Sequence, residues 1–257
     1  MSTVALARAE PSFSERVSRL LERVDYRPAI TDEERDQIYR LRYEAYIREG
    51  TITPSFSKRL SDKYDDLDNA WIFGVFIDGQ LASSIRLNVA SSACPDLPGL
   101  SVFADILGPD IEAGKVIIDP TRFVVDQTAA KLHPELPYAT VRIGWMAGEF
   151  FVADAILATV RAEHQAFYRR VFGHRLLCDP RPYPALAKPI SLMSLDYFAM
   201  KERVHQRYPF FRSTYFERRM LFGYPGMPEG WQAEAFARKA EARVATEPTS
   251  IVPALAG

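Results

Sequence analysis

Charged side chains recur along this chain at intervals that set them among apolar segments: Arg42-x-x-x-Tyr46, Asp62-x-x-Asp65, Arg86 in SSIRLN, and Asp119-x-x-Arg122-Phe123 in KVIIDPTRFVVD. A charge taken out of water without a partner costs several kcal/mol, so some of these residues are expected to pair with one another. Arg122 has two readings. It bridges Asp62 or Asp65 and pins the segment that carries them, or its planar fork clamps a substrate carboxylate. Arg42 and Arg86 carry the same choice.

The elements that must position these residues can be read from periodicity and caps. Ser12 or Ser14 opens a helix over residues 12–24, whose apolar positions Val17, Leu20, Leu21 and Val24 recur at helical spacing. After a short strand at 26–30, Thr31-Asp32-Glu33-Glu34 is a capping box that starts a helix running to residue 47. Arg42 and Tyr46 lie one turn apart on it and should point the same way. Residues 50–68 have no periodicity and read as a loop carrying Asp62, Asp65 and Asp66. Asp78-Gly79 between two apolar runs marks a hairpin with strands at 71–77 and 81–89, the second bearing Arg86. Pro95, Pro98, Gly99 and Gly108 make 94–108 an irregular excursion, and 115–125 is a strand in which Pro120 calls for an edge or a bulge. There follow a buried helix (136–151), a strand (153–160), a helix (164–172), an ordered proline-rich loop (180–189), a strand (190–198) and a helix (199–208). The end is an Ala-rich amphipathic helix, WQAEAFARKAEARVA, and a disordered tail.

With 257 residues, 47% hydrophobic and 25% charged, the chain can bury one substantial core. The expected organisation is an accessory helix at 1–24, one domain at 25–225, and a C-terminal helix and tail at 226–257. Cys94 and Cys178 stand far apart with no C-x-x-C, which fits a reduced, cytoplasmic compartment and gives neither a disulfide framework nor a zinc site. The first residues are too short of apolar content for a signal peptide, and no run approaches the roughly 20 apolar residues of a membrane span, so a soluble protein is expected. The net charge is only −1, yet residues 161–219 hold twelve Lys or Arg against five acids. A basic face steers an acidic partner, and no nucleic-acid motif accompanies it.

The order and spacing of the charged motifs resemble those of the acyl-homoserine-lactone synthases and of the long-chain N-acyl amino acid synthases. The resemblance spans roughly residues 25–225. It implies an α/β (α+β) acetyltransferase-like (GNAT) fold, with a mixed central sheet, a splayed strand and helices on both faces. It also implies transfer of a medium or long acyl chain from acyl-carrier protein to the amino group of an amino acid, with no cofactor beyond the carrier's own acyl-phosphopantetheine. The lactone synthases usually have Glu where this chain has Asp119, and an early Trp where it has Ile52. Lactone synthesis from S-adenosylmethionine is therefore the alternative, and a non-catalytic acyl-binding or lipid-binding module on the same fold is the third reading. Phe167-Tyr168-Arg169-Arg170-Val171-Phe172-Gly173 is similar to the F-Y-x-x-x-G-F element of acetyltransferases, in which a Tyr sits near the leaving thiol; Tyr168 is either that residue or core packing.

On this reading Asp119 and Arg122 are the catalytic candidates. Asp119 acts as a base toward the amine, positions an ammonium, or only pairs with Arg122; a free Asp near pKa ~3.9 is a poor base at neutral pH. Arg42, Tyr46, Asp62, Asp65, Arg86, Phe103 and Phe123 would shape the substrate site, and Arg169 and Arg170 would meet the carrier protein. An acylated product would partition toward membranes. Enzymes of this fold that use acetyl-CoA normally carry a glycine loop whose amides hold the pyrophosphate, and residues 126–143 contain no glycine. The four histidines have no zinc-protease spacing, and no G-x-S-x-G or P-loop is present.

Overall fold

The computed structural model describes residues 10–183 and 188–223. Ser12 begins the first helix, α1 (Phe13–Leu21), by accepting the Glu15 N–H while Glu15 reaches back to the Ser12 N–H at 2.6 Å. β1 (Val24–Pro28) follows, and Thr31 with Glu34 forms the same reciprocal cap on α2 (Asp32–Arg48). The hairpin is present as β2 (Ala70–Ile77) and β3 (Gln80–Ala90), joined through Asp78 and Gly79 at φ +50° and +81°. Two left-handed residues make a turn whose twist matches that of the flanking strands.

The expected irregular excursion is corrected: Leu100–Glu112 forms a helix, α3, that starts straight after Gly99. Phe103, Leu107 and Ile111 recur on its buried face, and this apolar stripe outweighs a kink at Phe103 and the proline at 109. Next come β4 (Ile117–Val125), a short α4 (Gln127–Leu132) that the sequence reading lacked, α5 (Leu136–Phe150), β5 (Ala155–Val160), α6 (Gln165–Val171) and a two-residue β6 (Arg175–Leu176). β7 (Ser191–Asp196) leads directly into α7 (Tyr197–Arg207), capped by Asp196, and α8 (Tyr215–Phe222) ends the described chain. The C-terminal helix and tail expected from the sequence lie outside the described residues.

These strands form one mixed sheet in the order β1-β2-β3-β4-β5-β7-β6, antiparallel except for β4 and β5. One face, carrying Trp71, Phe73, Ile85, Leu87, Ile118 and Ile156, buries against α5, α7 and α8. Val17 and Leu20 of α1 belong to the same core, so the first helix is built into the domain. The opposite face packs Ile72 and Val124 under α2, and Ile117, Leu157 and Leu192 under α3.

The parallel pairing of β4 with β5 lasts only through Ile117 and Ile118, set against Ala155 and Ile156. Pro120, two residues on, has no N–H to offer, and the strands part. β4 is thus central in the sheet yet has a free side where its proline sits. On its other side it pairs with β3, where Arg122 and Phe123 of β4 oppose Ile85 alone and make the expected bulge.

Close packing of α5 on the sheet predicts the cost of one methyl group. A Cβ at Gly148 would stand 2.5 Å from the buried Tyr197 ring and 2.8 Å from Ile156. Gly148→Ala should lower stability by ~1–3 kcal/mol despite alanine's better helix propensity, and chemical denaturation checks it. A neutral or stabilising result would mean that the contact of α5 with α7 and β5 yields freely.

Candidate active site

The acidic loop folds around its own carboxylates. Asp62 accepts the Tyr64 N–H at 2.9 Å, and Asp65 accepts the Asp62 N–H at 2.9 Å, which closes a single 3-10 turn over Lys63–Asp65. That leaves the outer lone pairs of both residues for arginines. Arg42 of α2 reaches Asp65 at 2.7 Å, Arg86 of β3 reaches Asp65 at 3.0 Å and Asp62 at 2.6 Å, and Arg122 of β4 reaches Asp62 at 2.5 Å. The result is one chain of alternating charge: Arg42, Asp65, Arg86, Asp62, Arg122. Arg42, Asp65 and Arg86 are fully buried or nearly so. Arg122 was expected to bridge either aspartate, and it takes Asp62; Asp65 serves the other two arginines.

Backbone geometry helps to aim Arg122. It stands in the bulge at φ +54°, a left-handed conformation that costs a non-glycine residue ~1–2 kcal/mol. The turn brings its guanidinium to the face that holds Asp62, above the Tyr46 ring at 5.3 Å. Burial works against the charge on Asp62, but Arg86 and Arg122 outweigh it and hold its carboxyl down at about 2. Burial likewise opposes the charge on Arg122, and Tyr46 and Asp62 overcome it, raising its pKa.

Asp119 sits apart from this chain. Its side chain is wholly buried, and Arg122 does not pair with it, which corrects the salt-bridge reading. Its two oxygens accept the Gly99 N–H at 2.8 Å and the Thr159 hydroxyl at 3.0 Å. Burial pushes its pKa up to about 6, against the pull of those two hydrogen bonds and of Arg86. That brings it far nearer to neutral pH than a free aspartate.

The gap between the diverging ends of β4 and β5 is a cavity of about 550 Å³. Tyr46, Arg122, Phe123, Thr159, Phe167 and Tyr168 stand on its wall. Near one end Arg161, which follows β5, pairs at 2.6 Å with Glu49, which follows α2. Burial raises the Tyr168 phenol to about 12, and its ring also borders a smaller recess beside His174. Phe103 is not on the cavity wall: it is a fully buried core residue of α3 with the Arg181 guanidinium at 5.3 Å, so its expected place in the pocket is corrected. Arg169 and Arg170 are exposed on α6. Thr159, Thr121 (which accepts from Arg86 at 3.1 Å) and Gly99 escaped the sequence reading, because small residues in a strand or turn carry no local signal of what they touch.

Three outcomes follow from this geometry. Asp65→Asn leaves Arg42 and Arg86 without their shared carboxylate and should cost ~3–5 kcal/mol of stability. In double-mutant cycles Arg122 should couple more strongly to Asp62 than to Asp65, and equal couplings would contradict the order of the chain. Asp119 gives the opposite pH dependence to Asp62. Its folded pKa of about 6 lies above the ordinary 3.8, so the folded state holds this proton more tightly and loses stability as pH rises between those values. The loss is ~3 kcal/mol, at ~1.4 kcal/mol per pH unit. Between pH 4 and 7 the urea midpoint of wild type should fall relative to that of Asp119→Asn; parallel slopes would mean that Asp119 is not the buried acid.

A family model, the N-acyl amino acid synthase FeeM, matches residues 37–196, which include every residue of the charge chain together with Asp119 and Thr159. No match was found among curated proteins. Among solved structures, FeeM, an N-acyl amino acid synthase from uncultured soil microbes, is similar at 19% identity with a TM-score of 0.59, covering 72% of this chain and 98% of FeeM. The CoA-dependent acyl-homoserine lactone synthase BjaI is similar at 13% identity with a TM-score of 0.51, covering 85% of this chain and 98% of BjaI. These likenesses establish the GNAT-like acyltransferase fold. Because the family model spans well over half of the sequence, this chain belongs to the FeeM family of N-acyl amino acid synthases and is an N-acyltransferase.

Proposed function

We propose that this enzyme moves a medium or long acyl chain from acyl-carrier protein to the amino group of an amino acid. The observation that carries this reading is the cavity in the strand split, whose wall joins apolar surface to cations, Arg122 among them with Arg48, Arg161 and Lys188. Phe123, Val124, Val160, Phe167 and Ile190 offer apolar surface for an acyl chain, in a volume typical of small-molecule sites at about 300–1,000 Å³. The five-membered charge chain has three arginines and two aspartates, so it carries one positive charge in excess, and it ends at Arg122 on the cavity wall. A carboxylate-bearing acceptor suits that end. Asp119 is the base that accepts the amine proton in this reading, and its raised pKa supports the assignment.

The donor is read from the helix starts that follow β4. In CoA-using relatives of this fold, amides there would have to receive a pyrophosphate. Here the Asp126 carboxylate itself accepts the Thr128 and Ala129 N–H groups at 2.9 and 2.8 Å, and Glu135, at the start of α5, is paired with Arg16 at 2.6 Å. Both positions already hold an anion of the protein, which supports a donor without a pyrophosphate. Arg169 and Arg170 are exposed on α6, the helix that brings Phe167 and Tyr168 to the cavity, and outside the ion pairs found among the described residues. They offer positive charge to an acidic carrier protein.

The donor is tested by comparing acyl-carrier protein with acyl-CoA of the same chain length. kcat/KM should be at least ~10-fold higher with the carrier protein. Arg169→Glu with Arg170→Glu should reduce it mainly at low salt, because steering is screened at high ionic strength. Equal or better turnover with acyl-CoA refutes the donor assignment.

A further inference from the structure

Asp119, the base of the reading above, does not touch the cavity. Its side chain is completely buried, it contributes nothing to the cavity wall, and both of its oxygens are engaged. Thr159 is the residue that meets both: it stands on the wall, half-buried, and its hydroxyl donates to Asp119 at 3.0 Å. A hydroxyl has one hydrogen to give and two lone pairs. The hydrogen is spent on Asp119, so the oxygen keeps acceptor capacity for an N–H. The four other side-chain hydroxyls on the wall have different attachments: Thr51 donates to the Tyr46 carbonyl at 2.9 Å, and Tyr46 lies under the Arg122 guanidinium. Thr121 accepts from Arg86, and Tyr168, its phenol raised by burial, packs edge-on against Phe167 and His174.

We propose that Thr159 is the proton relay between the acceptor amine and Asp119. This rests on the acyl-transfer reading above. The amine nitrogen attacks the thioester carbonyl carbon, the C–N bond forms and the carbonyl electrons move to oxygen. The nitrogen then gives its proton to the Thr159 oxygen while the Thr159 hydrogen passes to Asp119. The carbonyl re-forms, the C–S bond breaks, and sulfur leaves with the bonding pair. Asp119 returns the proton through Thr159 to sulfur, giving a free thiol, an amide and an unchanged enzyme. The same hydrogen bond also ties β4 to β5 just past the last backbone pair between them, so a purely structural role for Thr159 has to be separated by experiment.

The test uses full-length wild type, Thr159→Val, Thr159→Ser, Asp119→Asn and the double variant Asp119→Asn with Thr159→Val. Decanoyl-loaded carrier protein and a mixture of the common amino acids are the substrates, with thiol release and amide formation both measured. Valine keeps the shape and removes the hydroxyl. It should lower kcat ~100-fold or more, as loss of acid–base transfer does, and leave KM for the carrier protein within about threefold. Serine should restore kcat to within about tenfold of wild type, and the double variant should be no slower than the slower single variant. Melting curves fix a temperature at which every variant is folded. Wild-type kcat in Thr159→Val, or Thr159→Ser as slow as Thr159→Val, overturns the relay. A slow Asp119→Asn beside a fast Thr159→Val removes the relay and keeps the base. A fast Asp119→Asn removes both, and a wild type that forms no amide overturns the acyl-transfer reading with the relay.

Discussion

The molecule depends on a buried chain of five charges whose links span 2.5 to 3.0 Å. Its three arginines come from α2, β3 and β4, and its two aspartates from one loop, so four separate parts of the fold meet in a single network. Such a chain is a poor source of net stability, since desolvating five charges cancels most of what their attraction returns. Arg42 adds to the cost, with two guanidinium nitrogens that have no hydrogen-bond partner among the described residues. What the chain supplies is geometry. Any displacement of the loop leaves at least one buried arginine uncompensated, so the loop, the hairpin and the split strand hold one relative arrangement.

The split between β4 and β5 is the second organising feature, and it follows from a single residue type. Pro120 cannot continue the ladder, and the opening beyond it becomes the cavity. Alternation along β4 then divides the chemistry. Ile118 faces the core under α5, whereas Asp119 and Thr121 face α3 and the acidic loop. The bulge interrupts that alternation at Arg122 and turns it toward Asp62. Regular strand geometry would send Arg122 to the opposite face from Asp119 and Thr121, so the left-handed φ there is part of the site.

The two aspartates at the heart of the site have opposite electrostatic fates for the same physical reason. Both are withdrawn from water. Asp62 has two guanidinium groups against it and stays ionised, while Asp119 has an amide and a hydroxyl, which are weaker compensation for a lost hydration shell. Two carboxylates of one domain are thereby separated into a structural anion and a group able to exchange its proton near neutral pH.

The chain alone determined whatever depends on near neighbours. The helix start at Ser12, one of the two serines the sequence offered as its cap, the capping box at Thr31 and the Asp78-Gly79 hairpin are local patterns, and each is present in the fold. The membership of the charge network was also legible, because isolated charges among apolar residues must find partners. Its order was not: Asp62 and Arg122 are 60 residues apart, and either aspartate satisfied the same requirement. Helix α3 was hidden by its proline and glycines, whose local cost is overcome by the stripe Phe103, Leu107 and Ile111 packing on the sheet. Thr159 was invisible for a deeper reason. In Ala-Ile-Leu-Ala-Thr-Val it is one more strand-favouring residue, and only the closure of β5 beside β4 brings its hydroxyl to a buried carboxylate 40 positions earlier. Propensity and periodicity are properties of neighbours in sequence, whereas a hydrogen bond across a split sheet exists only once the whole sheet has formed.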